Sequence, residues 1–217
     1  MDYENTRHLM IEQQVRPWDV LDPVVLDLLK RYKREDFVPP VYRSLAFVDT
    51  ELPLGNGAFM WAPKLEARVV QSLRLTGKER VLEVGTGSGY LTALLSGMAA
   101  QVVSVEIDRA LGEEAGRKLQ AHGIANVALK CGDAARDWGE DGQFDAIVLT
   151  GSSPVLPEAY LGRLNPGGRL FVVLGEGQAM SATLLTCPTA GVCRREVLFE
   201  TSVPALVNAL EPARFEF

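Results

Sequence analysis

Residues 80–106, RVLEVGTGSGYLTALLSGMAAQVVSVE, decide the fold. Arg80-Val81-Leu82-Glu83-Val84 reads as a short buried strand. A glycine-rich turn follows, Gly85-Thr86-Gly87-Ser88-Gly89. Leu91, Leu94, Leu95 and Met98 then recur at helical spacing, and Gln101 to Glu106 reads as a strand again. Strand, turn, helix and strand in succession predict a βαβ unit with its two strands parallel.

The alternation continues toward the C-terminus. A helix opened by Asp108 and closed by Gly123 precedes strands near 127–130 and 144–149. A helix around 157–164 and a strand over 169–174 follow. This pattern predicts a doubly wound, mostly parallel α/β sheet of Rossmann-like type with helices on both faces. Two β-prone pieces within 179–203 flank Pro188-Thr189-Ala190-Gly191 and predict an antiparallel hairpin on the sheet edge. Toward the N-terminus, Leu65, Val69 and Leu73 mark one helix, and another spans about 5–15. A third starts at Asp22-Pro23, with Leu21, Val25, Leu28 and Tyr32 as its apolar stripe. Pro39, Pro40, Pro53 and Pro63 break the stretch 36–63 into a long irregular segment, which its aromatic residues keep ordered. The expected organisation is an N-terminal helical and irregular cap over 1–62 and a core over 63–217, together one compact unit.

Composition narrows the function. The chain has 217 residues, 47% apolar and 23% charged, which is globular composition and excludes general disorder. A net charge of −6 argues against non-specific binding to nucleic acid or to an anionic membrane. No apolar run approaches the roughly 18 residues of a membrane span, and no signal-peptide core is visible, so a cytoplasmic setting is expected. The three cysteines, Cys131, Cys187 and Cys193, lack CxxC spacing and suit a reduced chain. Cys187 and Cys193 could face each other across the hairpin, but two buried thiols is the reading adopted. His8 and His122 lie on separate helices, so no zinc site is expected and the chemistry must proceed without a histidine base.

In an open α/β sheet the ligand sits at the carboxyl ends of the strands. Gly85 and Gly87 let the backbone turn tightly and let a ligand come close. The nicotinamide fingerprint GxGxxG fails here, because Tyr90 occupies its sixth position. Glu83, two residues before the first glycine, would repel a pyrophosphate and suit a cationic amino group. Glu106 lies 21 residues after Gly85, where a carboxylate takes both ribose hydroxyls. Asp133 follows the next strand, within reach of an adenine amino group. Acids at three successive strand ends around a glycine turn describe a pocket for S-adenosyl-L-methionine.

The chain resembles the protein-L-isoaspartate O-methyltransferase family. The resemblance rests on ELPLGNGAF (51–59), RVLEVGTGSGYLTALLS (80–96), SVEID (104–108), NVALKCGD (126–133) and FDAIVLTGSSPVLPEAYLGRLNPGGRLFVVLG (144–175). REDFVPPVYRSLAFVDTELPLG (34–55) and TSVPAL (201–206) are its more specific parts. It implies S-adenosyl-L-methionine as methyl donor, and the side-chain carboxylate of L-isoaspartyl or D-aspartyl residues in damaged protein as acceptor. It also implies a cofactor site of Met60, Trp61, Glu83, Gly85, Thr86, Gly87, Ser88, Gly89, Glu106, Ile107, Asp133 and Ala134. Asp49, Phe59, Val203, Pro204 and Ala205 would line the peptide side.

One motif departs from the family. Where the family carries Thr-Ile-Ser-x-Pro, this chain has Phe59-Met60-Trp61-Ala62-Pro63. Trp61 therefore stands at the position of the serine near the reacting groups, and Phe59 at that of the threonine. As plain packing, Phe59, Met60 and Trp61 would be filler at the mouth of the sheet. Together they predict a more apolar acceptor pocket, in which Trp61 crowds the carboxylate or leaves it without an orienting partner. Two alternatives follow: a methyltransferase for a more apolar acceptor, or a catalytically silent S-adenosyl-L-methionine-binding module.

Overall fold

The computed structural model describes residues 2–139, 141–189 and 191–212. The N-terminal part opens with α1 (Tyr3–Met10), capped by the Asp2 side chain, and runs on through a π-helical turn over Ile11–Val15. Helix α2 (Pro23–Arg31) starts where Asp22 accepts the Val24 amide and Pro23 occupies the first turn. Val25, Leu28 and Tyr32 are buried, whereas Leu21 is 63% exposed. It precedes the cap, so the helical stripe does not govern it.

The segment 36–63 is more regular than its prolines suggest. It follows the short helix α3 (Arg34–Phe37) with a 3-10 turn over Pro40–Leu45 and a hairpin of β1 (Leu52–Gly55) and β2 (Ala58–Met60). Helix α4 (Pro63–Leu73) buries Leu65, Val69 and Leu73.

The core alternates β3 (Arg80–Val84), α5 (Tyr90–Ser96), β4 (Gln101–Glu106), α6 (Arg109–Ala121) and β5 (Val127–Cys131). Then come β6 (Phe144–Ser153), β7 (Leu164–Glu176), β8 (Ala179–Thr189) and β9 (Val192–Thr201). The seven strands lie in the order β5-β4-β3-β6-β7-β8-β9. The first five are parallel, and β8 and β9 add antiparallel pairs at the edge. The chain moves outward from β3 to β5 and then returns to the other side of β3, so the topological switch lies at the carboxyl ends of β3 and β6.

Side chains alternate across β3 and feed two cores. Val81 joins Met10, Val25, Phe37, Val69 and Phe171 on one face. Leu82 and Val84 join Val103, Ile147 and Leu170 on the other. Residues before 63 thus share a core with the sheet, and each large apolar side chain buried there contributes about 1.5–3 kcal/mol.

Two local expectations fail. Residues 158–163 form a 3-10 segment, not an α-helix, because β6 and β7 run long and leave a short connection broken by Pro154 and Pro157. Cys187 and Cys193 are joined in a disulfide, not held as separate thiols. The hairpin brings their Cα atoms to 4.0 Å, beside the Thr186–Arg194 pair. Cys131 is free and exposed.

Candidate active site

A cavity of about 290 Å³ opens at the carboxyl ends of the parallel strands. The glycine turn forms its floor, and the loops after β4 and β5 form one side. The β1–β2 hairpin and the tail 204–207 close over it. The tail is tied down by Ser152, whose amide donates to the Pro204 carbonyl at 2.9 Å and whose carbonyl accepts from Leu206 at 3.0 Å.

Gly85 adopts φ +94°, and a Cβ there would run into the Thr150 hydroxyl. That hydroxyl oxygen lies 2.8 Å from both the Val84 and Gly85 carbonyls, so it pins the turn to β6. Glu106 is 6% exposed and lines the cavity. Its Oε2 accepts the Gly87 amide at 2.8 Å and its Oε1 accepts the Asp108 amide at 3.1 Å. A carboxylate offers about four acceptor positions, so about two remain for hydroxyl groups in the cavity. Asp133 Oδ1 accepts the Ala135 amide and Oδ2 the Asn208 side chain, at 3.0 and 2.8 Å.

The cavity gathers Phe59, Met60, Trp61, Gly85, Thr86, Gly87, Ser88, Glu106, Ile107, Asp133, Ala134, Pro204 and Ala205. Four expected members lie elsewhere. Glu83 is fully buried beneath the turn, where its Oε2 accepts the Thr92 hydroxyl at 2.5 Å and the Ser104 hydroxyl at 2.6 Å. Strand alternation turns its side chain away from the cavity, and burial pushes its carboxyl up to about 8. Through Ser104, 2.6 Å from the Thr86 hydroxyl, Glu83 braces the turn from below. Gly89 begins α5 at φ +83°, and a Cβ there would press on Ala115 at 3.1 Å, so it serves helix packing. Asp49 pairs with Lys64 at 2.6 Å instead of facing the cavity. Val203 is buried, with its carbonyl accepting the Ser152 hydroxyl at 3.1 Å.

The sequence reading missed Glu66, which lies on α4, lines the cavity and is 2% exposed. Burial pushes its carboxyl upward against the pull of Arg34, its ion-pair partner. Arg34 is fully buried and also donates to the carbonyls of Ala46 at 2.8 Å and Trp61 at 2.5 Å. One guanidinium thereby ties α3, α4 and the cavity wall together. The visible signal was an acid on the apolar face of α4, in phase with Val69, Val70 and Leu73. Thr150, Leu206 and Val207 were also missed, because only folding brings β6 and the tail to the turn.

Trp61 packs its ring edge-on against Phe171, with centroids 6.3 Å apart. Met60 beside it is buried, and Phe59 is 41% exposed at the rim.

A switch-point cavity with a glycine-turn floor, on a seven-stranded sheet ending in an antiparallel edge, defines a Rossmann-like α/β protein with its ligand site at the switch point. A family model described as "Protein-L-isoaspartate(D-aspartate) O-methyltransferase (PCMT)" matches residues 5–191, and the chain belongs to this family. It is 39% identical over 173 residues to protein-L-isoaspartate O-methyltransferase 1 of Rhodopseudomonas palustris, covering 80% of this chain and 71% of that one. It is 42% identical over 175 residues to the Syntrophotalea carbinolica protein-L-isoaspartate O-methyltransferase, covering 81% of each. Its fold matches a Plasmodium falciparum protein-L-isoaspartate O-methyltransferase solved with S-adenosyl-L-homocysteine. That match has a TM-score of 0.78 at 20% identity and covers 93% of this chain and 98% of the other. No group of metal-ligating side chains occurs among the described residues, and no helix among them is long and apolar enough to cross a membrane.

Proposed function

We propose that the chain transfers a methyl group from S-adenosyl-L-methionine to the side-chain carboxylate of L-isoaspartyl or D-aspartyl residues in damaged protein. The observation that carries this reading is the Glu106 carboxylate, anchored by two backbone amides at the glycine turn with acceptor positions left for a ribose. The cofactor fits this donor and acceptor set. Glu106 would hold the ribose hydroxyls, Asp133 and Ala134 would meet the adenine edge, and the bare Gly85–Gly87 backbone leaves room for the rest. We assign Met60, Thr86, Ser88 and Ile107 to the same wall. Phe59, Trp61, Pro204 and Ala205 we place on the acceptor side.

When bound, the cofactor supplies an electrophilic methyl group on a sulfonium. The acceptor carboxylate, with a reference pKa near 4, is already ionised at neutral pH, so no protein base is needed. The residues' task is then orientation. The hairpin and the tail wall off the reacting groups, and Met60 and Trp61 present an apolar surface that keeps water from competing.

The test is transfer of labelled methyl from S-adenosyl-L-methionine to an isoaspartyl peptide, with the matched aspartyl peptide as control. Transfer to the isoaspartyl peptide alone is expected. Tight cofactor binding with no transfer to either peptide would refute the acceptor assignment.

A further inference from the structure

Phe59, Met60 and Trp61 make their stretch of the cavity wall apolar, which suggests a pocket with no orienting group. The indole changes that expectation. The residue is 4% exposed and lines the cavity. Its N–H has no hydrogen-bond acceptor among the described residues. Nor is the nitrogen one of the described polar atoms sealed inside the protein without a partner, so it keeps some access to solvent, and the residue that carries it lines the cavity. A buried tryptophan N–H ordinarily finds an acceptor. Trp138 in this chain does so, donating to Asp141 Oδ2 at 2.8 Å.

We propose that the Trp61 indole N–H is the donor that receives and orients the acceptor's oxygen. This rests on the methyl-transfer reading above and deepens it. An indole nitrogen donates and cannot accept, so the pocket selects groups that offer lone pairs and rejects ammonium groups. The flanking side chains of Phe59, Met60, Pro204 and Ala205 supply no competing donor. Glu66 shares the cavity wall, but its ion pair with Arg34 balances its charge, so a second carboxylate is not turned away. The ring packs edge-on against Phe171 and Arg34 holds the Trp61 main chain through its carbonyl, so the indole is placed before substrate arrives.

Two measurements test this. Trp61→Phe keeps a ring against Phe171 and removes the donor. It should lower kcat/KM for the isoaspartyl peptide about 10- to 150-fold, the worth of a hydrogen bond to a charged group, and change S-adenosyl-L-methionine affinity far less. The second measurement needs no variant. The chain's 3 tryptophans give 3 indole N–H signals by nitrogen-15 NMR. With S-adenosyl-L-homocysteine bound, the Trp61 signal should move downfield on adding isoaspartyl peptide or acetate. It should not move with a peptide carrying an ammonium in place of the carboxylate. Peptide turnover without that shift would overturn the inference and leave the methyl-transfer reading standing. A shift with acetate but no peptide turnover would do the reverse. No shift with either carboxylate would overturn the inference whatever the turnover.

Discussion

Glu106→Gln should weaken S-adenosyl-L-methionine binding about as much as Glu106→Ala, although it changes the side-chain volume little. Both carboxylate oxygens are already committed to backbone amides, Oε2 to Gly87 at 2.8 Å and Oε1 to Asp108 at 3.1 Å. Turning either oxygen into an amide NH2 sets a donor against one of those N–H groups. It also removes acceptor positions that the ribose hydroxyls need. A hydrogen bond to a charged group contributes about 1.5–3 kcal/mol, so affinity should fall about 10- to 150-fold in either variant. Both variants should fold, because Glu106 ends a strand at the cavity wall instead of filling the core. Titration calorimetry with S-adenosyl-L-methionine, with circular dichroism as the check on folding, measures the effect. A folded Glu106→Gln protein binding within about threefold of wild type would refute the ribose assignment.

Gly85→Ala forces a side chain into the left-handed region and into the Thr150 hydroxyl. Strain of about 1–3 kcal/mol should lower Tm by a few degrees and sharply reduce cofactor binding, and a variant with unchanged Tm and affinity would contradict the geometry of the turn. Glu83 is raised from 4.5 to about 8 by burial, so the folded state keeps a proton that the unfolded chain has lost. Its stabilising contribution is complete below about 4.5 and is lost as pH rises toward about 8. Glu83→Gln does not titrate, so its Tm relative to wild type should rise between pH 5 and 9, and a constant difference would show that Glu83 is not held protonated. Thiol titration under native conditions should find Cys131 alone, and all 3 cysteines after reduction and unfolding. Reactivity of Cys187 and Cys193 without a reductant would rule out the disulfide.

The parallel core was legible in the sequence because its signals are local. Val81, Leu82 and Val84 lie in a strand buried on both faces of the sheet and so read as a mostly apolar stretch, interrupted by Glu83, and Gln101–Glu106 begins and ends where its pattern does. Gly85 and Gly87 mark the turn because only glycine takes those dihedrals without cost, and Glu106 and Asp133 follow from strand ends. What escaped is what depends on distance in space. The pairing of Asp49 with Lys64 of α4 and the direction of the Glu83 side chain, away from the cavity, leave no mark in the sequence. The hairpin's strand register placed Cys187 against Cys193. The sequence alone established the class of fold and the glycine turn with Glu106 and Asp133 near it, since local periodicity and backbone chemistry encode them. Only the tertiary structure decided which acid faces the cavity, that Glu66 and the tail 204–207 belong to its wall, and that the Trp61 N–H has no partner among the described residues. Those facts depend on side-chain direction and on contacts between residues far apart in the chain, which no local pattern records.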